Sequence, residues 1–254
     1  MEYLSHKKRI TGNIKLRKIL TKPICIIPAR GGSKGIPKKN IRLIAGKPLI
    51  YYTIKSALES KIFSHVIVST EDKKIASIAK KYGAEVPFMR PKNLATDKTA
   101  TAPVLLHAIK KLNSLDIYFE IFVYRDCTCP FIDGRDMRGT IELLKKSDCY
   151  ATCGSVKAHP SPYFGMWEPN KDGFLEISKT TNKNITQRQA APTVYITEGV
   201  LAFWTKKFLK TRDTQPMGSA ITLAYEVSSE HGHAIDFEFD FKIAKLLIES
   251  KKHK

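Results

Sequence analysis

Glycines and cations are concentrated in the segment that follows the first apolar run of the chain. The run, Ile24 to Ile27, breaks at Pro28, and the loop after it combines backbone freedom with positive charge (Arg30, Gly31, Gly32, Lys34, Gly35, Lys38, Lys39). Glycines allow backbone N–H groups to approach an anion closely, and the cations neutralise its charge. A loop of this kind after a buried strand predicts a phosphate site at the carboxyl edge of a sheet. It contains neither G-x-x-x-x-G-K-[ST] nor G-x-G-x-x-G, and a basic surface turn is the simpler alternative.

The elements that must position this loop alternate between buried strands and amphipathic helices. Apolar runs predict the strands, and apolar residues at helical spacing predict the helices between them. The predicted strands are 24–27, 65–69, 85–88, 120–124 and 149–156; the predicted helices begin near 48, 72, 102 and 133, and a last one ends near 249. This order predicts an α/β fold with a parallel sheet and right-handed crossovers.

Length and composition limit the classes of protein to which the chain can belong. A chain of 254 residues can form one sizeable α/β domain, and its five cysteines, an odd number, are expected to be buried apolar side chains rather than disulfides or metal ligands. No apolar run reaches the roughly 20 residues that cross a bilayer, and the N-terminus has no apolar signal segment. We therefore expect a cytoplasmic protein without membrane insertion.

The positive charge of the chain is unusual. The formal net charge of +19 fits an anionic substrate, a nucleic acid or an anionic membrane surface, although solvated helix faces account for many of the lysines. Residues 1–22 contain seven Lys or Arg residues against a single acid, and we expect a basic, mobile arm or a loosely packed helix there. The chain shows no aromatic-studded sheet and no reading helix, which argues against a nucleic-acid partner.

Five segments, taken in order, resemble those of the acylneuraminate cytidylyltransferases, the enzymes that make CMP-sialic acid and related CMP-nonulosonates. They are the glycine-rich loop, Val68-Ser-Thr-Glu71-Asp72, Val86-Pro-Phe-Met-Arg90-Pro-x-x-Leu94-Ala-x-Asp97, Arg188-Gln189-x-x-Pro192 and Asp236-Phe-Glu-Phe-Asp240-Phe. The resemblance implies a three-layer α/β fold with a mostly parallel central sheet, the Rossmann-like fold of nucleotide-diphospho-sugar transferases. We expect this cytidylyltransferase domain over residues 23–254.

A hairpin is predicted to stand off the main sheet. The turn pair Asp172-Gly173 between apolar runs predicts it over 162–177. Four of its apolar side chains would need cover (Tyr163, Phe164, Met166, Trp167). The resemblance implies that a projection over about 157–190 packs on a second subunit and contributes to that subunit's site. We therefore expect a homodimer.

The reaction that the resemblance implies joins CTP to the anomeric hydroxyl of a nonulosonic acid, a nine-carbon sugar acid, and releases pyrophosphate. Such a transfer mainly requires positioning and charge neutralisation. For nucleotide binding, the resemblance implies Ala29, Arg30, Gly31, Gly32, Ser33, Lys34, Asn40, Arg90 and Asp97. Catalytic roles are expected for Arg30, Lys39 and Asp236.

The sugar acid is expected to contact five residues: Asp126, Thr128, Arg188, Gln189 and Glu198. Arg188 is expected to pair with the sugar carboxylate, since a guanidinium binds a carboxylate through two parallel hydrogen bonds. Asp126 stands where the resembling enzymes usually have glutamine, and Glu198 stands where they favour asparagine. These two carboxylates leave the identity of the sugar open, because each must meet an amine, a hydroxyl or a metal.

Mg²⁺ is the cofactor that the resemblance implies. The resembling enzymes have an Asp-x-Asp pair near the C-terminus, and this chain has Ala234 and Asp236 at those positions. Magnesium takes one or two protein carboxylates together with phosphate oxygens and waters, so one aspartate is sufficient. We hypothesise that Asp126 replaces the missing ligand, directly or through water. The alternative role for Asp236 is that of a helix N-cap.

Three alternative functions stay open at the level of the sequence. A nucleotidyltransferase of the same fold could use another nucleotide or another sugar acid. A catalytically weak nucleotide-sugar-binding homologue would account for Ala234, Asp126 and Glu198 together. A basic nucleic-acid-binding protein would instead form a salt-sensitive complex with DNA or RNA.

Overall fold

A six-stranded sheet lies at the centre of the structure, a computed structural model that describes residues 18–33, 35–182, 185–210 and 221–250. Most of the predicted basic arm, residues 1–17, and Lys34 of the glycine-rich loop lie outside the described residues. No helix among the described residues is long and apolar enough to cross a membrane.

Strands and helices alternate along the first two thirds of the chain. The strands are β1 (Ile19–Leu20), β2 (Ile24–Pro28), β3 (Leu43–Ile44), β4 (Lys47–Pro48), β5 (His65–Ser69), β6 (Tyr118–Phe119), β7 (Ile121–Arg125), β8 (Ala151–Lys157), β9 (Trp167–Pro169), β10 (Leu175–Ile177), β11 (Tyr195–Trp204) and β12 (Thr222–Glu226). The helices are α1 (Leu49–Glu59), α2 (Lys73–Lys81), α3 (Thr101–Ser114), α4 (Gly134–Lys146), α5 (Thr205–Lys210) and α6 (Glu238–Ser250).

The central sheet has the strand order β12-β8-β11-β7-β2-β5. Neighbouring strands are parallel except for the two pairs that contain β11, which runs antiparallel to both β7 and β8. Because β11 is reversed, its first half lies at the edge where β7 ends, with Val200 opposite Arg125. The predicted mostly parallel sheet is confirmed.

Helices cover both faces of this sheet and give three layers. Alternate residues of β2 point to opposite faces, as the pleat requires. Cys25 and Ile27 lie in the cluster that contains α1, α2 and α4, whereas Ile24 and Ile26 lie in the cluster that contains α3 and α5. A third cluster packs α6 against Ile36, which follows the glycine-rich loop. All five cysteines are free and buried, as the composition predicts.

Phe122 lies in the most aromatic part of the core. It is fully buried, its ring stacks on Phe203 at 5.1 Å between centroids, and Phe208 meets it edge-on at 5.1 Å. We expect Phe122→Ala to lower the free energy of unfolding by about 3–5 kcal/mol, measured by denaturant titration. The matched control is Phe239→Ala, because Phe239 is 70% exposed and lies in α6, outside the predicted hairpin. We expect the control to change stability by no more than about 0.5 kcal/mol, and similar losses in the two variants would contradict the assigned core.

The predicted hairpin is present and is separate from the central sheet. Strands β9 and β10 form a two-stranded antiparallel sheet of their own. In the turn, Asn170 Oδ1 accepts the N–H groups of Asp172 and Phe174, and Gly173 takes a positive φ of 86°. The hairpin carries four exposed apolar side chains, which we call the apolar hairpin surface (Met166, Trp167, Phe174, Leu175). Tyr163 and Phe164 are half-buried, contrary to the prediction that they are exposed.

Several local predictions are wrong or incomplete. The strand expected over 85–88 is reduced to a single bridge between Glu85 and Ile67. Strands β1, β11 and β12 are absent from the sequence prediction. In β11, a register shift between Thr197 and Leu201 and an exposed first half obscure the alternation that marks a strand. Within the predicted arm, Ile19–Leu20 pairs with Tyr118–Phe119, so this end of the arm is a strand.

Candidate active site

A cleft of about 340 Å³ opens at the edge of the sheet where β2 and β7 end. Three segments line it: the glycine-rich loop, the segment over 90–104 that leads into α3, and the end of β7 with the loop after it. Nine of the predicted site residues are among its lining residues: Arg30, Gly32, Ser33, Lys39, Asn40, Arg90, Asp97, Asp126 and Thr128. The structure therefore brings together residues up to 98 positions apart in the sequence, from Arg30 to Thr128.

Two backbone N–H groups of the glycine-rich loop already donate hydrogen bonds within the protein, so they are not available to a ligand in the cleft. The N–H of Ala29 donates to Ser69 O at 3.0 Å, and the N–H of Gly31 donates to Glu71 Oε1 at 2.7 Å. Gly32 and Ser33 line the cleft, and nothing lies within 4 Å of a Cβ placed on Gly32. The amides of Gly32 and Ser33 are therefore better placed to meet a ligand than those of Ala29 and Gly31.

Arg30 reaches across the mouth of the cleft. Its Nη1 donates to Thr96 O at 3.0 Å, and its Nη2 lies 3.0 Å from Asp97 Oδ1. The Arg30 and Asp97 side chains are 33% and 42% exposed, so water screens this ion pair and its net stabilisation is small. An incoming anion can therefore compete with Asp97 for the guanidinium.

Lys39 and Asp236 meet on the other side of the loop. Lys39 Nζ donates to Ile235 O at 2.6 Å and to Asp236 Oδ1 at 3.1 Å. A Cβ on Gly35 would lie 2.3 Å from Asp236 O, so the close approach of the two backbones requires glycine. The N–H of Ile235 donates to Thr128 O at 2.9 Å. The segment around Asp236 is thus tied both to the glycine-rich loop and to the loop after β7.

Asp236 lies two positions before the first residue of α6 and does not act as the N-cap of that helix. The carboxylate of Asp240 accepts the N–H groups of Asp236 at 3.0 Å and of Phe237 at 2.8 Å, just before α6 begins at Glu238. The Asp236 side chain is 61% exposed and contacts Lys39 instead. Its carboxylate is therefore open to a ligand.

Asp126 is fixed at the end of β7 by two hydrogen bonds. Its Oδ1 accepts the N–H of Thr128 at 2.9 Å, and its Oδ2 accepts the Tyr124 hydroxyl at 3.0 Å. Burial raises the pKa of Tyr124 well above its usual range, and the charge of Asp126 adds to the rise. The Tyr124 hydroxyl therefore stays protonated and continues to donate to Asp126.

Arg125 holds the same loop from inside the protein. It is fully buried and donates to the carbonyl oxygens of Gly199, Cys129 and Ile132. Burial lowers its pKa, although an arginine keeps its charge. These bonds tie the loop after β7 to the irregular point of β11, where Gly199 has a φ of +64°.

Glu198 lies beside this loop, whereas Arg188 does not. Cys129 Sγ donates to Glu198 Oε2 at 3.5 Å. Burial raises the pKa of Glu198, and the negative charges of Asp126 and Asp236 raise it further. Arg188 and Gln189 belong to a short 3₁₀ helix and are not among the residues that line the cleft. The Arg188 guanidinium contacts the His159 ring.

The carboxylates of the site suit a hard divalent cation in their chemistry. Asp126 and Asp236 carry carboxylate oxygens, the atoms that Mg²⁺ prefers, on two segments that the bond from Ile235 to Thr128 joins. Among the described residues, the one group of three ligand atoms within 4.8 Å is elsewhere, at Asp133, Asp136 and His231. Hydrogen bonds within that group explain why its atoms lie close together. Asp133 and Asp136 form a capping box, and Asp136 contacts His231 at 2.6 Å.

Sequence reasoning missed several residues of the site. Tyr124 and Thr99 line the cleft without belonging to a recognisable motif, and Thr96 occupies an unspecified position of one. Glu71 is not among the predicted site residues, yet it contacts Gly31 and Arg90. The available signal was its position: Glu71 follows β5 at the carboxyl edge of the sheet, next to β2.

Comparison with known proteins gives consistent matches along the chain. A family model described as Cytidylyltransferase matches residues 24–249. The CMP-N,N'-diacetyllegionaminic acid synthase of Campylobacter jejuni is 34% identical over 229 residues, which are 90% of this chain and 95% of that protein. The N-acylneuraminate cytidylyltransferase of Escherichia coli is 32% identical over 92% of this chain and 54% of that protein.

A solved structure supports the same fold. A CMP:2-keto-3-deoxy-manno-octonic acid synthetase complexed with CTP superposes with a TM-score of 0.68 and 17% sequence identity. The match covers 91% of this chain and 100% of that chain. At this identity the likeness establishes the fold alone, and it confirms the predicted fold class.

Proposed function

The chain belongs to the cytidylyltransferase family, and we propose that it transfers CMP from CTP to the anomeric hydroxyl of a nonulosonic acid and releases pyrophosphate. The similarity to synthases of CMP-legionaminic acid and CMP-sialic acid supports this class of sugar. The observation that carries the proposal is the cleft itself. It has a glycine-rich, cationic loop on one side and the carboxylate of Asp126 on the other.

The nucleotide is proposed to lie over the glycine-rich loop. Arg30 and Lys39 neutralise the triphosphate, and the amides of Gly32 and Ser33 donate to phosphate oxygens. Binding releases Arg30 from Asp97, an exchange of one anionic partner for another. Asn40 donates to Arg30 O at 3.0 Å and so fixes the loop around the phosphates.

Asp236 and Asp126 are proposed to hold Mg²⁺ together with phosphate oxygens and water. When bound, such an ion neutralises charge on the transferred phosphoryl group. Lys39, which contacts Asp236 at 3.1 Å, keeps that carboxylate turned toward the glycine-rich loop. In the transfer, the sugar hydroxyl oxygen loses its proton to solvent and forms a bond to the α-phosphorus, while the bond from that phosphorus to pyrophosphate breaks.

The sugar acid is proposed to occupy the end of the cleft formed by Asp126 and Thr128, next to Glu198, which contacts Cys129 of the same loop. Carboxylates there accept hydrogen bonds from sugar hydroxyl or amino groups. Arg188 and Gln189 lie outside the cleft of their own chain, which fits the proposal that they act from the projection of a second subunit. The apolar hairpin surface supports this homodimer, because Trp167 is 57% and Leu175 65% exposed in the single chain.

Pyrophosphate release by the purified protein tests the proposed function. The assay combines Mg²⁺, each of four nucleoside triphosphates and a panel of N-acetylneuraminic, legionaminic, pseudaminic and 3-deoxy-octulosonic acids. We expect release only with CTP and a nonulosonic acid, in the cytoplasmic range of pH and salt. Release with another nucleotide or only with 3-deoxy-octulosonic acid would favour the related nucleotidyltransferases. CTP binding without turnover on any sugar would favour the catalytically weak homologue.

A further inference from the structure

A single carboxylate joins two of the segments that line the cleft. Glu71 Oε1 accepts the N–H of Gly31 at 2.7 Å, and Glu71 Oε2 accepts Nη2 of Arg90 at 2.7 Å. The contact is largely removed from water, because the side chains of Arg90 and Glu71 are only 3% and 14% exposed. Both bonds are charge-assisted, a class roughly twice as strong as bonds between neutral groups.

We propose that Glu71 is a positioning residue that clamps the glycine-rich loop to the segment over 90–97 and so sets the width of the nucleotide cleft. The inference deepens the proposed function and rests on it for the identity of the nucleotide. Arg30 also joins the two loops through Thr96 O and Asp97, but that link is exposed to water. Among the described residues, the buried link between the loops runs from Gly31 to Arg90 through the Glu71 carboxylate.

The backbone next to Glu71 also joins the two loops at one point of the sheet. The N–H of Ala29 donates to Ser69 O, and the N–H of Arg90 donates to Thr70 O at 2.9 Å. Both loops are therefore hydrogen-bonded to residues at the end of β5, and Glu71 is the next residue after these two carbonyl groups. The backbone hydrogen bonds fix the positions at which the two loops leave the sheet. The Glu71 side chain fixes the distance between the loops, one residue after those carbonyl groups.

The clamp also changes the role expected for Arg90. Its guanidinium lines the cleft, but its charge is matched by Glu71 at 2.7 Å. Because this pair is buried, Arg90 adds little net positive charge for the phosphates. They are left to Arg30 and Lys39, whose partner carboxylates, Asp97 and Asp236, are 42% and 61% exposed and are screened by water. Its contribution to nucleotide binding is the shape and hydrogen-bonding pattern of the cleft wall.

Glu71→Gln tests the clamp with almost no change of side-chain volume. The amide has one acceptor oxygen, and its NH₂ group would face the second donor, so one loop loses its bond. We expect KM for CTP to rise on the order of tenfold, kcat to change by less than about threefold and KM for the sugar acid to stay the same. The matched control is Glu85→Gln, because Glu85 is an exposed carboxylate paired with His65 at 2.9 Å. We expect it to leave all three constants unchanged.

Hydrogen–deuterium exchange of the free protein provides a readout that requires no substrate. In Glu71→Gln we expect faster exchange in the peptides that contain Gly31 and in those that contain Arg90, with the rest of the domain unchanged. Unchanged exchange in either loop, or faster exchange throughout the domain, would overturn the clamp. If the wild-type protein turns over no nonulosonic acid while Glu71→Gln still loosens both loops, the proposed function fails and the clamp stands.

Discussion

Replacing Lys39 with methionine is expected to lower kcat/KM for CTP by about 10²–10³-fold, the usual loss when one preorganised charge is removed from a transition state. Methionine keeps most of the length of the lysine stem but removes the ammonium group. The Lys39 side chain is only 12% exposed, and its ammonium group meets both Ile235 O and Asp236 Oδ1. Its loss removes positive charge beside the proposed phosphates and leaves Asp236 without the contact that orients it.

The neighbouring lysine is a matched control for this variant. Lys38 is exposed and is not among the residues that line the cleft. Lys38→Met changes the net charge by the same amount as Lys39→Met, so it measures the effect of lower total charge on the attraction of CTP. We expect Lys38→Met to stay within about threefold of wild type in pyrophosphate release at 0.15 M salt, where exposed charges are screened. Equal losses in the two variants would mean that Lys39 acts only through the overall field of the protein.

Much of the fold follows from local patterns in the sequence. The apolar run Ile24 to Ile27 is buried on both faces, and the strand His65–Ser69 has the predicted bounds. Asp72 caps α2 by accepting the N–H groups of Lys74 and Ile75. In each case the prediction depends only on residues that are close to one another in the chain. A pattern of period two or a cap residue needs no knowledge of distant partners.

The reversed strand β11 could not be predicted in this way. Its first three residues are exposed and its last half is buried, so the strand has no single period. Its direction is set by pairing with β7 and β8, a property of the sheet rather than of the segment. This reversal has a functional consequence, because it brings Glu198 to the edge where Asp126 lies.

The sequence predicts many of the residues that form the candidate site but not the contacts between them. Seven of the nine predicted residues that line the cleft follow β2 or β7, whose carboxyl ends meet at one edge of the sheet. The partners of these residues depend on distances between segments, such as the 40 positions that separate Gly31 from Glu71. The backbone contact between Gly35 and Asp236 is likewise a product of how α6 packs on the loop.

The Mg²⁺ dependence of the variants Asp126→Asn and Asp236→Asn is expected to distinguish the roles of the two proposed metal ligands. For Asp236→Asn we expect kcat to fall about 10²–10³-fold at any Mg²⁺ concentration, because this exposed carboxylate also pairs with Lys39. For Asp126→Asn we expect the Mg²⁺ concentration for half-maximal pyrophosphate release to rise about 10–100-fold, with activity recovered at high Mg²⁺.

Replacing Asp126 with asparagine removes the negative charge while the local hydrogen bonds can be kept. Its amide oxygen can accept the N–H of Thr128, and its NH₂ group can donate to the Tyr124 hydroxyl, so both contacts of Asp126 have a counterpart. Asp172→Asn, in the exposed turn of the hairpin, removes one carboxylate far along the chain from the cleft and is the control for net charge. An unchanged Mg²⁺ requirement in Asp126→Asn would show that Asp126 is not a ligand. Asp236 would then hold the ion with phosphate oxygens and water alone, and the carboxylate of Asp126 would be left to accept hydrogen bonds from the sugar.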